Sequence, residues 1–255
     1  MRRNSVTVGV LLAVFVMTET IPAVSEEPTL KGAMGGSGQL EREITGKDGA
    51  PMMLVPAGGF LYGSNYQWMS LPAFYMDKYA VTTARYAKFL QATGRKEPYK
   101  WNEVNHSSDG DRPVIGVDWH DTDAYCRYYG KRLSTEQEWE KSARGTDGRK
   151  YPWGNEVPNR SVANFDWEGE RTWQGYKTLA PVGSYEAGKS PYGIHDLAGN
   201  VWEWTSSDYD SNYKVLRGGS WAYEAEDMRV WNRNGRNPTY RSYRNGFRCA
   251  QDAPK

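Results

Sequence analysis

Thiol and imidazole chemistry has few places to reside in this chain. It holds two cysteines, Cys126 and Cys249, and three histidines, His106, His120 and His195. A close thiolate pair is soft enough to select Cu(I). In an exported chain the same two residues would instead persist as a disulfide, because oxidising compartments preserve such bridges. The histidines show neither an i, i+4 pair nor a His-x-His spacing. An iron site would therefore have to draw two histidines and a carboxylate from distant loops, and His195 beside Asp196 reads as a packing or surface residue. A further chemical stretch is the C-terminal one, where Arg229, Arg233, Arg236, Arg241 and Arg244 interleave with Trp231, Tyr240 and Tyr243. Guanidinium forks among aromatic rings bind anions, peptides or sugars by bidentate hydrogen bonds and stacking. The same arginines would also serve to brace loops by donating to backbone carbonyls.

These residues need a compact scaffold. The 255-residue length suits one loop-rich domain, and no internal repeat or second linker divides it. The 11 Trp, 18 Tyr and 27 Gly stand against 6 Phe. Such aromatics bury a large body while their N–H or O–H finds a partner, and glycine supplies the positive-φ turns of irregular chain. Together with a mean hydropathy of −0.79, this points to much non-repetitive structure and little long helix. The 32 basic and 31 acidic residues balance, which excludes the broad cationic surface of a nucleic-acid binder.

Residues 1–25 read as a signal peptide. Arg2 and Arg3 precede an apolar run from Val6 to Met17, and Ala23-Val24-Ser25 places small residues for cleavage after Ser25. The run is too short to span a bilayer comfortably, no other segment resembles a span, and the expected location is periplasmic or secreted. Residues 26–48, with Gly32, Gly35, Gly36 and Gly38, read as a flexible leader, and residues 49–252 as the domain. Met52 to Phe60 is a strand entering a turn, and Phe74 to Tyr79 a second strand. Thr82 or Thr83 caps a helix over Ala84–Ala92 ended by Gly94. Asp118 caps Trp119–Tyr129, stopped by Gly130. Ser134-Thr135-Glu136-Gln137 reads as a capping box opening a helix that carries Trp139 and ends by Gly145. From 146 onward only short extended pieces and turns are legible, so the fold class is α+β.

The order of short motifs is specific. Leu54-Val55-Pro56-Ala57-Gly58-Gly59-Phe60 is followed by Val117-Asp118-Trp119, Gly130-Lys131-Arg132-Leu133-Ser134-Thr135-Glu136 and Tyr151-Pro152-Trp153-Gly154. Then come Gly193-Ile194-His195-Asp196-Leu197-Ala198-Gly199-Asn200-Val201-Trp202-Glu203-Trp204, Arg217-Gly218-Gly219-Ser220-Trp221 and Gly246-Phe247-Arg248-Cys249. The series, from about residue 50 to 250, closely resembles the formylglycine-generating enzyme or sulfatase-modifying factor superfamily. The resemblance implies a loop-rich variant of the C-type lectin fold. It also implies that Cys126 and Cys249 form a structural disulfide between an early helix and the last strand. Some members carry a second bridge; the matching positions here are Ala143 and Val230, both halves absent together.

Members that oxidise a sulfatase cysteine hold copper with two more cysteines shortly after the Gly-Gly-Ser turn. The corresponding segment here, Trp221 to Arg229, has none, and Tyr223 stands near the first missing one. The resemblance thus argues against copper, leaves iron open, and implies structural calcium at the Asp196 and Glu203 side chains with the carbonyls of Gly199 and Val201. Oxygen donors of this kind suit a hard cation. A weaker second calcium site would use Asn164, Phe165, Gln174 and Tyr176, where Gln174 is neutral instead of acidic. The family's substrate groove implies a cleft lined by Trp202, Ser220, Tyr223 and Arg244, with Arg244 where cysteine-oxidising members have a neutral residue. The expected function is an exported accessory or binding protein acting on a protein or peptide partner. The alternatives are a divergent metal-dependent oxidoreductase, of formylglycine-generating or siderophore-maturation type, and a lectin-type ligand-display protein.

Overall fold

The computed structural model of the chain describes residues 40–166 and 172–254. The expected signal peptide and most of the expected leader lie outside the described residues. The leader's last part is ordered: β1 (Glu43–Thr45) pairs antiparallel with β2 (Pro51–Val55), Glu43 opposite Met53. The domain therefore begins before residue 49. Its first long apolar run is split at Pro56, and β3 (Gly58–Tyr62) turns away from β2 into a hairpin with β4 (Gln67–Leu71).

β5 (Phe74–Asp77) returns beside β2 and leads to α1 (Thr83–Thr93). Thr82 caps α1 by accepting from the Arg85 N–H, and Gly94 closes it in the left-handed region at φ 64°. α2 (Trp119–Tyr128) opens on a reciprocal cap in which Asp118 accepts from the Asp121 N–H and Asp121 from the Asp118 N–H. After β6 (Arg132–Leu133), α3 (Glu136–Arg144) uses Thr135 and Glu138 as its capping box, one residue later than the Ser134–Gln137 spacing suggests. Ser134 is buried with its carbonyl accepting from the Ser206 N–H at 2.8 Å, and its hydroxyl makes no capping hydrogen bond.

The second half adds β7 (Trp202–Asp208), β8 (Lys214–Arg217), β9 (Arg233–Arg236), β10 (Asn245–Phe247) and β11 (Cys249–Asp252). One sheet runs β1-β2-β5-β11-β6 and a second β10-β7-β8-β9. The β10–β7 pairing is parallel, with Asn245 opposite Trp202. Long loops fill the remainder, and among the described residues no helix is long and apolar enough to cross a membrane.

The last strand of the domain is stitched back into its first half. β11 lies between β5 and β6, and a disulfide joins Cys249 to Cys126 on α2 across 123 positions of sequence. Both cysteines are buried in the aromatic cluster of Tyr86, Phe89, Tyr125, Trp202, Trp204 and Phe247. Beside them, the buried Lys131 ammonium sits 2.6 Å from Asp48 and 2.7 Å from Asp77, and the Cys249 N–H donates to Asp77 at 2.9 Å. Ala143 and Val230 fall together in another apolar cluster with Trp139 and Leu197. Closing so long a loop removes denatured-state entropy worth about 4–5 kcal/mol. A Cys126→Ala/Cys249→Ala variant should lose most of that in equilibrium guanidinium unfolding under non-reducing conditions. An unchanged midpoint and slope would deny the bridge a role in stability.

Candidate functional site

The site is built on the loop that precedes β7. Asp196, Gly199 and Asn200 all take positive φ, 57°, 78° and 65°, so the segment curls tightly. At Gly199 the turn demands glycine, because a Cβ would stand 2.4 Å from the Asn164 carbonyl oxygen. Asn200 holds the curl from both sides. Its side-chain oxygen accepts from the Ala180 N–H and the Asn164 amide, its amide donates to the Ala180 carbonyl, and its own N–H donates to the Asn164 carbonyl. The Gly199 N–H donates to Gly218 at 2.8 Å, and the Trp221 N–H donates to Asn200 at 3.0 Å. The two loops carrying the sequence motifs are thereby one unit.

Glu203 leaves this loop toward the opposite face of β7 and meets Arg248. The arginine's Nε reaches both carboxylate oxygens at 3.0 and 2.8 Å, and one Nη adds a 2.7 Å contact. Trp139 of α3 donates its indole N–H to the same carboxylate at 2.7 Å. The remaining guanidinium donors reach the carbonyls of Asp77, Lys78 and His195. Both charged side chains are 1% exposed.

Asp196 is different. It accepts from the Gly183 N–H at 2.7 Å and has no ion-pair partner among the described residues. Burial, with Glu203's charge adding, pushes its carboxyl up to about 6. A buried carboxylate short of positive charge suits a hard cation, and Gly199 and Val201 offer carbonyls on the same curl. Glu203 fits less well, because Arg248 and Trp139 already occupy its oxygens. Of the second expected set, the Asn164 amide donates to Asn200 and to the Thr178 carbonyl, Phe165 and Tyr176 are buried, and Gln174 is exposed. The three histidines stack in separate places, His106 on Trp101, His120 on Trp119 and His195 on Tyr79. Among the described residues no group of three or more histidine, cysteine or carboxylate side chains could hold a metal.

The four expected cleft residues do come together. Trp202 and Tyr223 meet edge-on at 5.5 Å, the Tyr223 N–H donates to the Ser220 carbonyl, and the Trp202 N–H donates to the Arg244 carbonyl at 2.8 Å. The Arg244 guanidinium lies 5.8 Å from the Tyr223 ring, 5.9 Å from Trp221 and 5.3 Å from Tyr243. Ser220 is fully buried beneath the turn. There, a Cβ on Gly218 would crowd Trp139 at 3.0 Å, and one on Gly219 would crowd Met228 at 3.1 Å. Sequence reasoning did not reach Trp173, which packs on Tyr243 at 5.1 Å and Trp221 at 5.8 Å. Its only local signal is its aromatic type. Most of the arginine-rich tail braces loops instead of lining the cleft. Arg233 pairs with Glu136, Arg241 with Asp118 and Asp121 at the α2 cap, and Arg229 with Glu226.

Residues 38–253 match the sulfatase-modifying factor enzyme 1-like domain. The chain belongs to that family. It is 43% identical over 156 residues to an inactive C-alpha-formylglycine-generating enzyme 2 from Bos taurus, a match covering 55% of this chain and 50% of that protein. The chain thus spans about half the length of such curated relatives. A formylglycine-generating enzyme from Thermomonospora curvata is 29% identical over 284 residues, covering 79% of this chain and 93% of that one. PvdO from Pseudomonas aeruginosa superposes with a TM-score of 0.69 at 24% identity, over 85% of this chain and 100% of its own, a likeness of fold.

The Arg248–Glu203 geometry sets a stability test. Removing one partner leaves an uncompensated buried charge, so Arg248→Met should cost about 3–5 kcal/mol. Arg248→Met/Glu203→Gln should recover part of that loss in urea unfolding, because no bare charge remains and Trp139 keeps an acceptor. A double variant no better than the single would show that the charge pairing is not what matters.

Proposed function

We propose that this is an exported accessory or binding protein that engages a protein or peptide partner through the cleft of Trp202, Ser220, Tyr223 and Arg244, without copper–cysteine chemistry. The observation that carries this reading is the disposition of sulfur. Both cysteines of the chain are joined in the Cys126–Cys249 disulfide. The segment after the Gly218-Gly219-Ser220 turn, where the family's copper thiolates belong, places Tyr223 against Trp202 instead. The family's copper site needs a pair of thiolates, and the four cleft side chains offer an indole, a phenol, a hydroxyl and a guanidinium. The likeness to a relative named inactive supports the same reading.

Calcium enters as a scaffold ion in this proposal, at Asp196 and the carbonyls of Gly199 and Val201, with Glu203 adding charge from behind. Such an ion would compensate the buried Asp196 carboxylate and stiffen the curl that carries Trp202. Exported proteins meet calcium concentrations at which even modest sites fill.

Two measurements test these statements. Incubating the purified protein with copper and a Cys-x-Pro-x-Arg peptide should yield no aldehyde by mass spectrometry. Conversion, or iron-dependent oxygen uptake with a peptide, would replace the binding reading with a divergent oxidoreductase. For calcium, the thermal midpoint of chelator-treated protein should rise on adding the ion, by about 2.7 kcal/mol of stabilisation at a hundredfold excess over Kd. Asp196→Asn should abolish the rise. No rise in the unsubstituted protein would remove calcium from the account.

A further inference from the structure

Among the described residues, Arg244 is a cation with no carboxylate paired to it. The neighbouring Lys100 ammonium also lies over Tyr99, Trp173 and Tyr243, but Glu103 pairs with it and also accepts from the Trp173 indole at 2.8 Å. The other arginines of the tail pair with carboxylates, apart from Arg236, which donates to the Asn234 side chain and the Gly235 carbonyl. Among the described residues the one hydrogen bond the Arg244 side chain makes is a 3.5 Å approach to the Tyr243 hydroxyl. Its Nε is buried and finds no acceptor.

Two further donors beside it are equally unmatched. The Trp202 indole N–H is buried without a partner, although the residue is only 2% exposed. So is the side-chain amide of Asn245, which is 3% exposed and stands opposite Trp202 in the β10–β7 register. Buried donors left unmade are costly, so three on neighbouring residues mark a place built for an acceptor. Trp202 and Arg244 both rest on the Tyr223 ring. The three donors are all N–H groups, and Arg244 adds a positive charge.

We infer that the Arg244–Trp202 corner of the cleft is a carboxylate-binding subsite, and that the partner engaged there presents an acidic side chain flanked by groups that stack on Trp173 and Tyr243. This rests on the reading of the cleft as a peptide-binding site and names its ligand class. A carboxylate accepts from Arg244 and the Trp202 indole together, and charge-assisted bonds of this kind are the strong ones. The rings under Arg244 hold its fork in place before the ligand arrives, which reduces the ordering cost of binding. A basic peptide such as the sulfatase motif would instead meet a like charge.

The test has two arms. In the first, the indole ¹⁵N–¹H resonance of Trp202, assigned by its loss in Trp202→Phe, is followed as sodium acetate is titrated against sodium chloride at constant ionic strength. A saturable shift with acetate, absent in Arg244→Gln and retained in Arg244→Lys, is expected. No shift, or the same shift in Arg244→Gln, overturns the subsite. In the second arm, acetylated and amidated hexapeptides of alternating tyrosine with glutamate, glutamine or lysine are compared by calorimetry, alongside the glutamine peptide with a free C-terminus. The glutamate peptide should bind at least tenfold tighter than the glutamine and lysine peptides, and Arg244→Gln should erase the preference. Equal binding of all peptides overturns the acidic preference and leaves the cleft a peptide site. Preference for the free C-terminus over glutamate overturns the side-chain assignment. If acetate shifts Trp202 but no peptide binds, the peptide reading fails and the side-chain assignment falls with it.

Discussion

Arg248 and Glu203 form the contact on which the remainder of the domain leans. One guanidinium, fully buried, reaches a carboxylate on β7 and backbone carbonyls at the end of β5 and at His195. Through Trp139 the same carboxylate fixes α3. Four segments distant in sequence thus share one charge pair. Such a pair contributes less to net stability than its geometry suggests, because both ions lose water on burial. Its effect is on position: with three donor groups converging on Glu203, β7 has one place to be, and Trp202 beside it packs into the aromatic cluster around the disulfide.

A second buried charge cluster does the same for the chain termini. Lys131 bridges Asp48 and Asp77, and Asp77 receives the Cys249 N–H next to the disulfide. Burial pushes Asp77 upward, and the Lys131 ammonium opposes it. The β1–β2 turn, the end of β5 and the start of β11 therefore meet at a site where a covalent bond and an ion triad reinforce one another. Loops occupy much of the second half, and this fixed frame allows them to be precise without regular secondary structure. The Asn200 and Asn164 amides then supply the hydrogen bonds that a sheet would otherwise provide.

The helices were legible because their signals are local. Thr82, Asp118 and the Gly94 stop lie within a turn of the residues they act on. The box of α3 is Thr135 with Glu138, and no window around residue 134 reveals which of the two adjacent hydroxyl residues takes the cap. Strands β8 and β9 and the ordered β1 were missed for another reason: their pairing partners are distant, and their apolar alternation is short. In the site, Trp202, Ser220, Tyr223 and Arg244 are grouped in the sequence only by the family resemblance. What that resemblance could not separate was Arg244 from its neighbours. Arg233 and Arg241 have the same chemistry, but Glu136 and the α2 cap claim them, and only the fold decides which arginine is left without a carboxylate.

The central claim is that both thiols of the chain are locked into its scaffold as one disulfide. Counting thiols tests it most directly. The protein, purified without reductant, denatured and treated with a thiol-specific chromogenic reagent, should show no reactive thiol, with two appearing after reduction; peptide mapping should recover Cys126 linked to Cys249. Two free thiols before reduction, or a native cysteine that exchanges with copper, would contradict the account and return both residues to the list of groups available for chemistry.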